Sequence, residues 1–246
     1  MSGTFFLTQG HHSAIFAAMG RPHRAAEGGF VYHVLNRGNA RMHLFDDERD
    51  YDAFEKVLAE AVERSETRLL AYCLMPNHWH LLVWPRKHGE LSRFVGWLTL
   101  THTQRWHAHR HSVGYGHVYQ GRFKSFPVQE DDHFYAVARY VERNALRANF
   151  VRRAEEWSWC SLYRWLHGVA EDKPSLAAWP VPRKPSWIEH VNAPQSEAEL
   201  AAIRRSVERG SPFGSESWND RAIRRLGLES TLRPRGRPRK QVEKVS

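Results

Sequence analysis

The stretch CLMPNHWHLLV, residues 73–83, decides the fold because two apolar runs meet at a Pro-Asn step. Pro and Asn are typical of tight turns, so residues 67–76 and 78–85 are predicted to form the two strands of a hairpin. Successive side chains of a strand point to opposite faces of the sheet, which places His78 and His80 on one face. Leucine buries more readily than histidine, so the pair needs an explanation.

The residues between and after the histidines define the opposite face of the same strand. Trp79, Leu81 and Val83 are predicted to point into a core that helices cover. Two imidazoles on one face can share a metal ion, since histidine is the commonest protein ligand near neutral pH. Two surface histidines with ordinary hydrogen bonds would give the same spacing. The histidine pair alone is therefore consistent with both a metal site and an ordinary solvated surface.

Outside the hairpin, the chain alternates between strand-like and helix-like segments. Alternating apolar residues predict further strands, and apolar residues at helical spacing predict helices. The additional strands are residues 30–39 and 116–128, and the helices are residues 46–65, 91–110 and 130–150. The order β-α-β-β-α-β is typical of the α+β, ferredoxin-like (split βαβ) fold. This plan predicts an antiparallel sheet with helices on one face, a second face free to meet a ligand, and one following helix.

Changes in composition and periodicity along the chain predict five segments. A folded domain is expected at residues 21–168, and a small helical region, with helices at 195–209 and 215–226, is expected at residues 195–228. The other segments are an N-terminal extension at 1–20, a Pro-rich linker at 169–194 and a basic disordered tail at 229–246. Residues 1–18 are expected to be either a disordered extension or a misassigned start.

Composition limits the partners and the compartment. The net charge of +9 and the pI of about 9.8 favour a polyanionic partner. Cys73 and Cys160 form no CxxC motif, so we expect a reducing cytoplasm and neither a disulfide scaffold nor a cysteine zinc knuckle. No apolar run reaches the roughly 18 residues that a membrane span needs, so we expect no membrane partner.

A third metal ligand is expected from the helix predicted at residues 130–150. Tyr140 and Asn144 are four residues apart, so they lie on one helix face about one turn from each other. Tyr135 lies about 140° around the helix from Tyr140 and should face elsewhere. Without the histidines, Tyr140 would be read as an ordinary core tyrosine and Asn144 as a polar residue near the helix end.

Three motifs in this order resemble a known family. MPNHWHLLV (residues 75–83), GHVYQGRFKS (116–125) and YVERNALRANFV (140–151) are similar to the REP-associated tyrosine transposases, a branch of the single-tyrosine HUH transposases. The resemblance extends from about Arg21 to about Trp165. In such proteins two histidines around a hydrophobic residue hold a metal ion. The relatives commonly have Asn-Pro where this chain has Asn144-Ala145, a departure expected to lengthen the helix and keep the ligand.

The resemblance implies a role for each residue of the candidate site. Tyr140 is the expected nucleophile, and His78, His80 and Asn144 are the expected ligands of Mg²⁺ or Mn²⁺. The implied enzyme is a nickase and ligase of single-stranded, repeat (REP-like) hairpin DNA that forms a 5′-phosphotyrosine. We expect it in the bacterial cytoplasm, associated with the nucleoid, as a monomer or a dimer. A catalytically inactive DNA-binding regulator and an unrelated histidine-site hydrolase are the alternatives.

Basic and aromatic residues are the predicted DNA contacts. Arg122 and Lys124 alternate with aromatic residues that can stack on unpaired bases, and Asn36 and Arg37 end the first strand. The tail contains Arg235-Gly236-Arg237-Pro238, which resembles an AT-hook core. A nonspecific basic tail would have the same composition, so both readings of Arg235 and Arg237 stay open.

The histidine-rich segment at residues 101–117 is not predicted to form a metal site. Its histidines are spaced too irregularly for a closed site, so we expect surface or phosphate-contacting roles. They are His102, His107, His109, His111 and His117.

Overall fold

The computed structural model describes residues 25–114, 116–168 and 172–233. The strands are β1 (Val31–Arg37), β2 (Arg68–Met75), β3 (His78–Trp84) and β4 (Lys124–Val128). The helices are α1 (Glu48–Glu63), α2 (Glu90–His109), α3 (Asp132–Glu142), α4 (Asn144–Arg147), α5 (Ser161–His167), α6 (Trp187–Asn192), α7 (Glu197–Arg209) and α8 (Glu216–Leu226). Within the described residues, no helix combines the length and the hydropathy that a membrane crossing requires.

The four strands form one antiparallel sheet in the order β2-β3-β1-β4. This is the strand order of the split βαβ plan, so the predicted α+β, ferredoxin-like class is confirmed. β3 lies in the centre, between β2 and β1, and its register places His80 opposite Leu35 and His78 opposite Arg37. The histidine pair therefore lies at the end of β1 that leads into residue 38.

One face of the sheet packs against α1 and α2, as the alternation in β3 predicted. Trp79, Leu81 and Val83 are fully buried in the same cluster as Phe54 and Leu98 from the two helices. The helix α1 forms here because its apolar residues recur at helical spacing and because the Asp47 side chain accepts a hydrogen bond from the Asp50 N–H. This layer contains the predicted core and leaves the opposite face for the site.

The second face is less open than the sequence predicted. Leu82 and Phe126 point to this side and are buried by Phe134, Val137 and Val141 of α3. Apolar residues on this face have to be covered, so the helix after β4 folds back over it. At the end of the sheet that carries the histidine pair, His78 stays partly accessible and His80 is 3% exposed.

Two predicted elements are shorter than expected. The strand predicted at residues 116–128 is β4 only from Lys124, because Gly116 and Gly121 adopt positive φ angles of 99° and 142° that interrupt an extended strand. The helix predicted at residues 130–150 is divided into α3 and α4 at Arg143. The prediction of one continuous helix over residues 130–150 is therefore wrong.

The turn at Arg143 is held from outside the helix. The Arg143 guanidinium donates hydrogen bonds to the carbonyl oxygens of Val191 and Asn192, at the end of α6. The Arg143 backbone has a φ of −82° and a ψ of 0°, outside the ordinary helical values. Asn144 consequently begins a separate short helix rather than continuing the helix of Tyr140.

The region predicted as a Pro-rich linker packs onto the sheet layer in its described part. Trp187 of α6 is fully buried, and its Nε1 donates a hydrogen bond to the buried Glu142 carboxylate at 2.7 Å. The Ser161 hydroxyl donates to the same carboxylate at 2.7 Å. Residues 172–194 are thus tied to the end of α3, and burial raises the pKa of Glu142.

The helices α7 and α8 coincide with the two predicted at residues 195–209 and 215–226. After α7, the Phe213 N–H donates a hydrogen bond to the Pro127 carbonyl of β4 at 2.9 Å. The small helical region therefore packs against the edge strand. The N-terminal extension, Arg235 and Arg237 lie outside the described residues, and the five segment boundaries stay predictions.

Candidate functional site

A cavity of about 860 Å³ opens where the ends of β1 and β3 meet α3, α4 and α7. It brings together every predicted site residue that lies in the described part of the chain. These residues are Asn36, Arg37, His78, His80, Arg122, Lys124, Tyr140 and Asn144. Gln120, Arg147 and Arg204 line it as well and were not predicted.

The two histidines of β3 lie side by side in this cavity. Their ring centroids are 5.1 Å apart, and each Nδ1 is held by a neighbour. His78 Nδ1 lies 2.6 Å from Asn77 Oδ1, and His80 Nδ1 lies 2.8 Å from His33 Nε2. His33 is 1% exposed, on the neighbouring strand β1.

Burial keeps both cavity histidines neutral near pH 7. It lowers the pKa of His78 to about 4, with a smaller contribution from the Arg37 and Arg147 cations. Burial also lowers the pKa of His80 well below its ordinary value, helped by the neighbouring His33 and His78 rings. A neutral imidazole has a lone pair on one nitrogen, which is what a metal ligand requires.

Tyr140 of α3 reaches the histidines. Its ring centroid lies 5.7 Å from that of His80 and 6.1 Å from that of His33, both edge to face. The Tyr135 hydroxyl instead donates to the Pro182 carbonyl at 2.5 Å, so Tyr135 faces away from the cavity as predicted. Among the tyrosines of α3, the geometry therefore favours Tyr140 as the reactive one.

Asn144 lies beside Tyr140 and is contacted by Arg147. Arg147 Nη2 donates to Asn144 Oδ1 at 2.9 Å, and Arg147 Cζ lies 4.2 Å from the Tyr140 ring centroid. The Asn144 Nδ2 atom is buried and has no hydrogen-bond partner among the described residues. Buried polar groups are nearly always paired, so an unpaired amide at a cavity is typical of a site that completes its bonds on binding.

The residues present fit a divalent ion in their donor types. Within the described residues, no group of three or more His, Cys, Asp or Glu side chains is placed to hold a metal. His33 adds no further ligand, because its Nε2 is already bonded to His80. The candidate donors are therefore His78, His80 and the amide oxygen of Asn144, which also accepts from Arg147, and imidazole with amide oxygen suits Mn²⁺ better than Mg²⁺.

Positive charge lines the cavity from several elements. Arg37 ends β1, Arg122 and Lys124 precede and begin β4, and Arg147 and Arg204 come from α4 and α7. The Arg37 Nε atom is buried without a partner among the described residues. Guanidinium groups match phosphate oxygens in charge and in hydrogen-bond geometry. The cavity is thus suited to a ligand that carries several phosphate groups.

Two of the unpredicted residues had a signal in the sequence. His33 has the strand phase of Leu35 and Arg37, which the register places opposite the histidines, and Arg147 lies three residues after Asn144. Arg204 had none, since α7 reaches the cavity only through tertiary packing. Strand alternation applied to β1 and helical spacing applied beyond Asn144 would therefore have indicated His33 and Arg147.

One histidine of the histidine-rich segment lies in the core, contrary to the surface role predicted for it. His102 is 5% exposed, and its Nδ1 lies 2.7 Å from the Tyr119 hydroxyl. The Trp79 Nε1 donates to the same hydroxyl at 3.1 Å. His102 is placed on the inner side of α2, where its ring packs against Phe54.

Comparison with known proteins agrees with this arrangement. Residues 28–144 match the family model described as "Transposase IS200 like". This part of the chain, which contains His78, His80, Tyr140 and Asn144, is therefore similar to the IS200-like transposases, and the predicted resemblance is confirmed. The family supports a DNA transposase function, and so a DNA-processing enzyme.

A solved structure shares the fold. A REP-associated tyrosine transposase bound to a REP hairpin matches with a TM-score of 0.50 and 14% identity, over 64% of this chain and 92% of that chain. At this identity the likeness shows the fold alone. A Deinococcus radiodurans R1 protein assigned as a transposase matches with a TM-score of 0.36 and 18% identity, over 50% of this chain and 96% of that one. No protein of curated function matches the chain in sequence.

Proposed function

We propose that this chain is a metal-dependent endonuclease and strand transferase of single-stranded, repeat (REP-like) hairpin DNA. The observation that carries the proposal is the shared cavity of Tyr140, His78, His80 and Asn144. The solved REP-associated tyrosine transposase, which is bound to a REP hairpin, supports hairpin DNA as the substrate class. The basic cavity wall supports a polyanionic ligand.

In the proposed reaction, the Tyr140 hydroxyl oxygen attacks the phosphorus of the scissile phosphate. A new bond forms between the phenol oxygen and phosphorus, and the bond from phosphorus to the 3′ oxygen breaks. The phenol loses its proton and the departing 3′ oxygen gains one, which leaves a 5′-phosphotyrosine and a free 3′-hydroxyl. The phosphodiester bond count is conserved, so a second 3′-hydroxyl can reverse the step and join strands without ATP.

The residues around Tyr140 have separate tasks in this reaction. His78, His80 and Asn144 would hold a divalent ion, which when bound would polarise the scissile phosphate and offset the charge that develops on its oxygens. Arg147, 4.2 Å from the Tyr140 ring centroid, restricts the ring and places a second cation beside the phosphate path. Arg37, Arg122 and Lys124 bind flanking phosphates.

The test compares two tyrosines of the same helix. Tyr140→Phe should bind labelled hairpin-containing single strands from the regions that flank the gene, and it should yield no protein-linked strand on a denaturing gel with Mn²⁺. Tyr135→Phe, which removes a hydroxyl bonded to Pro182, should form the adduct like the wild type.

A Tyr140→Phe variant that retains the adduct would reject the assignment of the nucleophile. A wild-type protein that binds these strands and never cleaves them would be an inactive DNA-binding regulator. Cleavage of small substrates without a covalent DNA intermediate would identify an unrelated hydrolase.

A further inference from the structure

The two cavity histidines share a feature to which the reaction above gives no role. Both Nδ1 atoms are held, His78 by Asn77 and His80 by His33. A neutral imidazole carries one proton, and only the other nitrogen has a lone pair for a metal ion. The partner at Nδ1 therefore determines which nitrogen of each ring is able to ligate.

At His78 the proton position follows from the second bond of Asn77. Asn77 Nδ2 donates to the Arg41 carbonyl at 3.4 Å, so Asn77 Oδ1 is the atom that faces His78 and accepts. An amide oxygen accepts only from a protonated nitrogen. The proton of neutral His78 is thus on Nδ1, and its Nε2 carries the lone pair.

At His80 the partner is another imidazole, so two arrangements of one proton are possible. If His33 Nε2 donated, His80 would carry its own proton on Nε2 and have no lone pair left for a metal. If His33 Nε2 accepts, the His80 proton is on Nδ1 and Nε2 is available. Only the second arrangement gives His80 the same state as His78.

The surroundings of His33 fix its ring in place for this contact. The ring centroid lies 4.8 Å from that of Phe126 on β4 and 6.1 Å from that of Tyr140 on α3. A phenyl ring would fill this buried place without the cost of desolvating an imidazole. The histidine is therefore better explained by its 2.8 Å bond to His80 than by packing alone.

We propose that His33 and Asn77 are positioning residues, which hold the protons of His80 and His78 on Nδ1 so that both Nε2 lone pairs are available to a divalent ion. The use of these lone pairs rests on the proposed function. The proton positions are a property of the metal-free protein and can be tested by themselves.

The first test is spectroscopic and needs no metal. Long-range ¹H–¹⁵N correlation of the metal-free protein at neutral pH should show His78 and His80 protonated on Nδ1. In His33→Phe the His80 proton should move to Nε2, and in His33→Gln, whose side-chain oxygen can accept, it should stay on Nδ1. A wild-type His80 with its proton on Nε2 would overturn the proposal.

The second test measures Mn²⁺ affinity by calorimetry. Loss of a hydrogen-bond partner behind a ligating histidine typically costs about 10- to 100-fold in metal affinity, which is the loss expected for His33→Phe. His33→Gln should recover most of the affinity. The matched control is His102→Phe, the same change at a buried histidine on the other face, which should bind Mn²⁺ like the wild type.

The outcomes separate this inference from the proposed function. Equal Mn²⁺ affinity in His33→Phe and His102→Phe would overturn the positioning role. A wild type that binds no Mn²⁺ would overturn the metal in the proposed function, and the spectra would still decide the proton positions. If circular dichroism shows that His33→Phe does not fold, the Asn77→Leu variant decides. Asn77 is half-buried, and its loss should move the His78 proton away from Nδ1 in the same way.

Discussion

The two faces of the sheet differ in how their buried polar groups are hydrogen-bonded. On the face that α1 and α2 cover, the Trp79 and His102 nitrogens are both bonded to the Tyr119 hydroxyl. On the opposite face, Asn144 Nδ2 and Arg37 Nε are buried at the cavity without partners among the described residues. A protein satisfies its buried polar groups where they only support the fold. In the described part of the chain, unpaired buried polar atoms also occur away from the cavity, Trp84 Nε1 and Asn219 Oδ1 among them, so the cavity is distinguished by the clustering of such atoms with His78 and His80.

Alternate residues of β3 offer the largest test of this comparison. Trp79→Ala should lower the free energy of unfolding by about 3–5 kcal/mol, because it opens a cavity in the core. His80→Ala should cost much less stability, yet it should abolish the DNA adduct. Urea unfolding and the denaturing gel measure the two effects. A His80→Ala variant as unstable as Trp79→Ala, or one that still forms the adduct, would break the division between the faces.

A smaller effect, shared by both faces, is expected from pH. Burial lowers the pKa of His33 and His102 to about 3 and that of His78 to about 4, from an ordinary value of 6.5. Below pH 6.5 the unfolded chain binds more protons than the folded one, so stability is complete above that pH and falls as the pH drops towards 4. Each such histidine contributes a slope of at most about 1.4 kcal/mol per pH unit.

Urea unfolding across this pH range checks the prediction. His102→Phe on the structural face and His33→Phe on the cavity face should each reduce the slope by up to one proton. A slope that His102→Phe leaves unchanged would show that His102 is charged or exposed in the folded protein.

The smallest expected effect concerns the cavity wall built by α7. Arg204→Ala should weaken the binding of single-stranded DNA and reduce the logarithmic salt slope by about 0.7, the value for one phosphate contact. Arg205→Ala is the matched control, since Arg205 is the exposed neighbour on the same helix and does not line the cavity. Equal slopes for the two variants, measured by titration at several salt concentrations, would remove α7 from the DNA path.

Sequence alone predicted the parts of the molecule that local periodicity controls. The alternation in β3 gave the orientation of Trp79 and His80, and the helical spacing gave the proximity of Tyr140 and Asn144. The same rules did not predict the turn at Arg143, because the carbonyl groups that bond the Arg143 side chain lie about fifty residues later in the chain. Arg204 reaches the cavity for a similar reason, through the packing of α7 on β4.

The site roles themselves stay predictions, although the structure places the residues together. A hydrogen bond between Arg147 and Asn144, for example, comes from two helical positions three residues apart and was open to prediction. The pairing of His33 with His80 needed the register between β1 and β3, which no single segment contains. Short-range patterns therefore found the reactive groups, and strand pairing supplied the groups that orient them.

The buried carboxylate of Glu142 has a practical consequence for anyone who shortens the gene. It sits two residues before Asn144, and its hydrogen-bond partners Ser161 and Trp187 both lie downstream of the matched range 28–144. A fragment cut at that boundary would lose both partners of Glu142 and also the apolar side chains that pack over α3, Leu162, Trp187 and Val191 among them, and so would expose part of this core. A shortened form of this protein should accordingly keep the chain through α6, and residues should be removed from the C-terminus first.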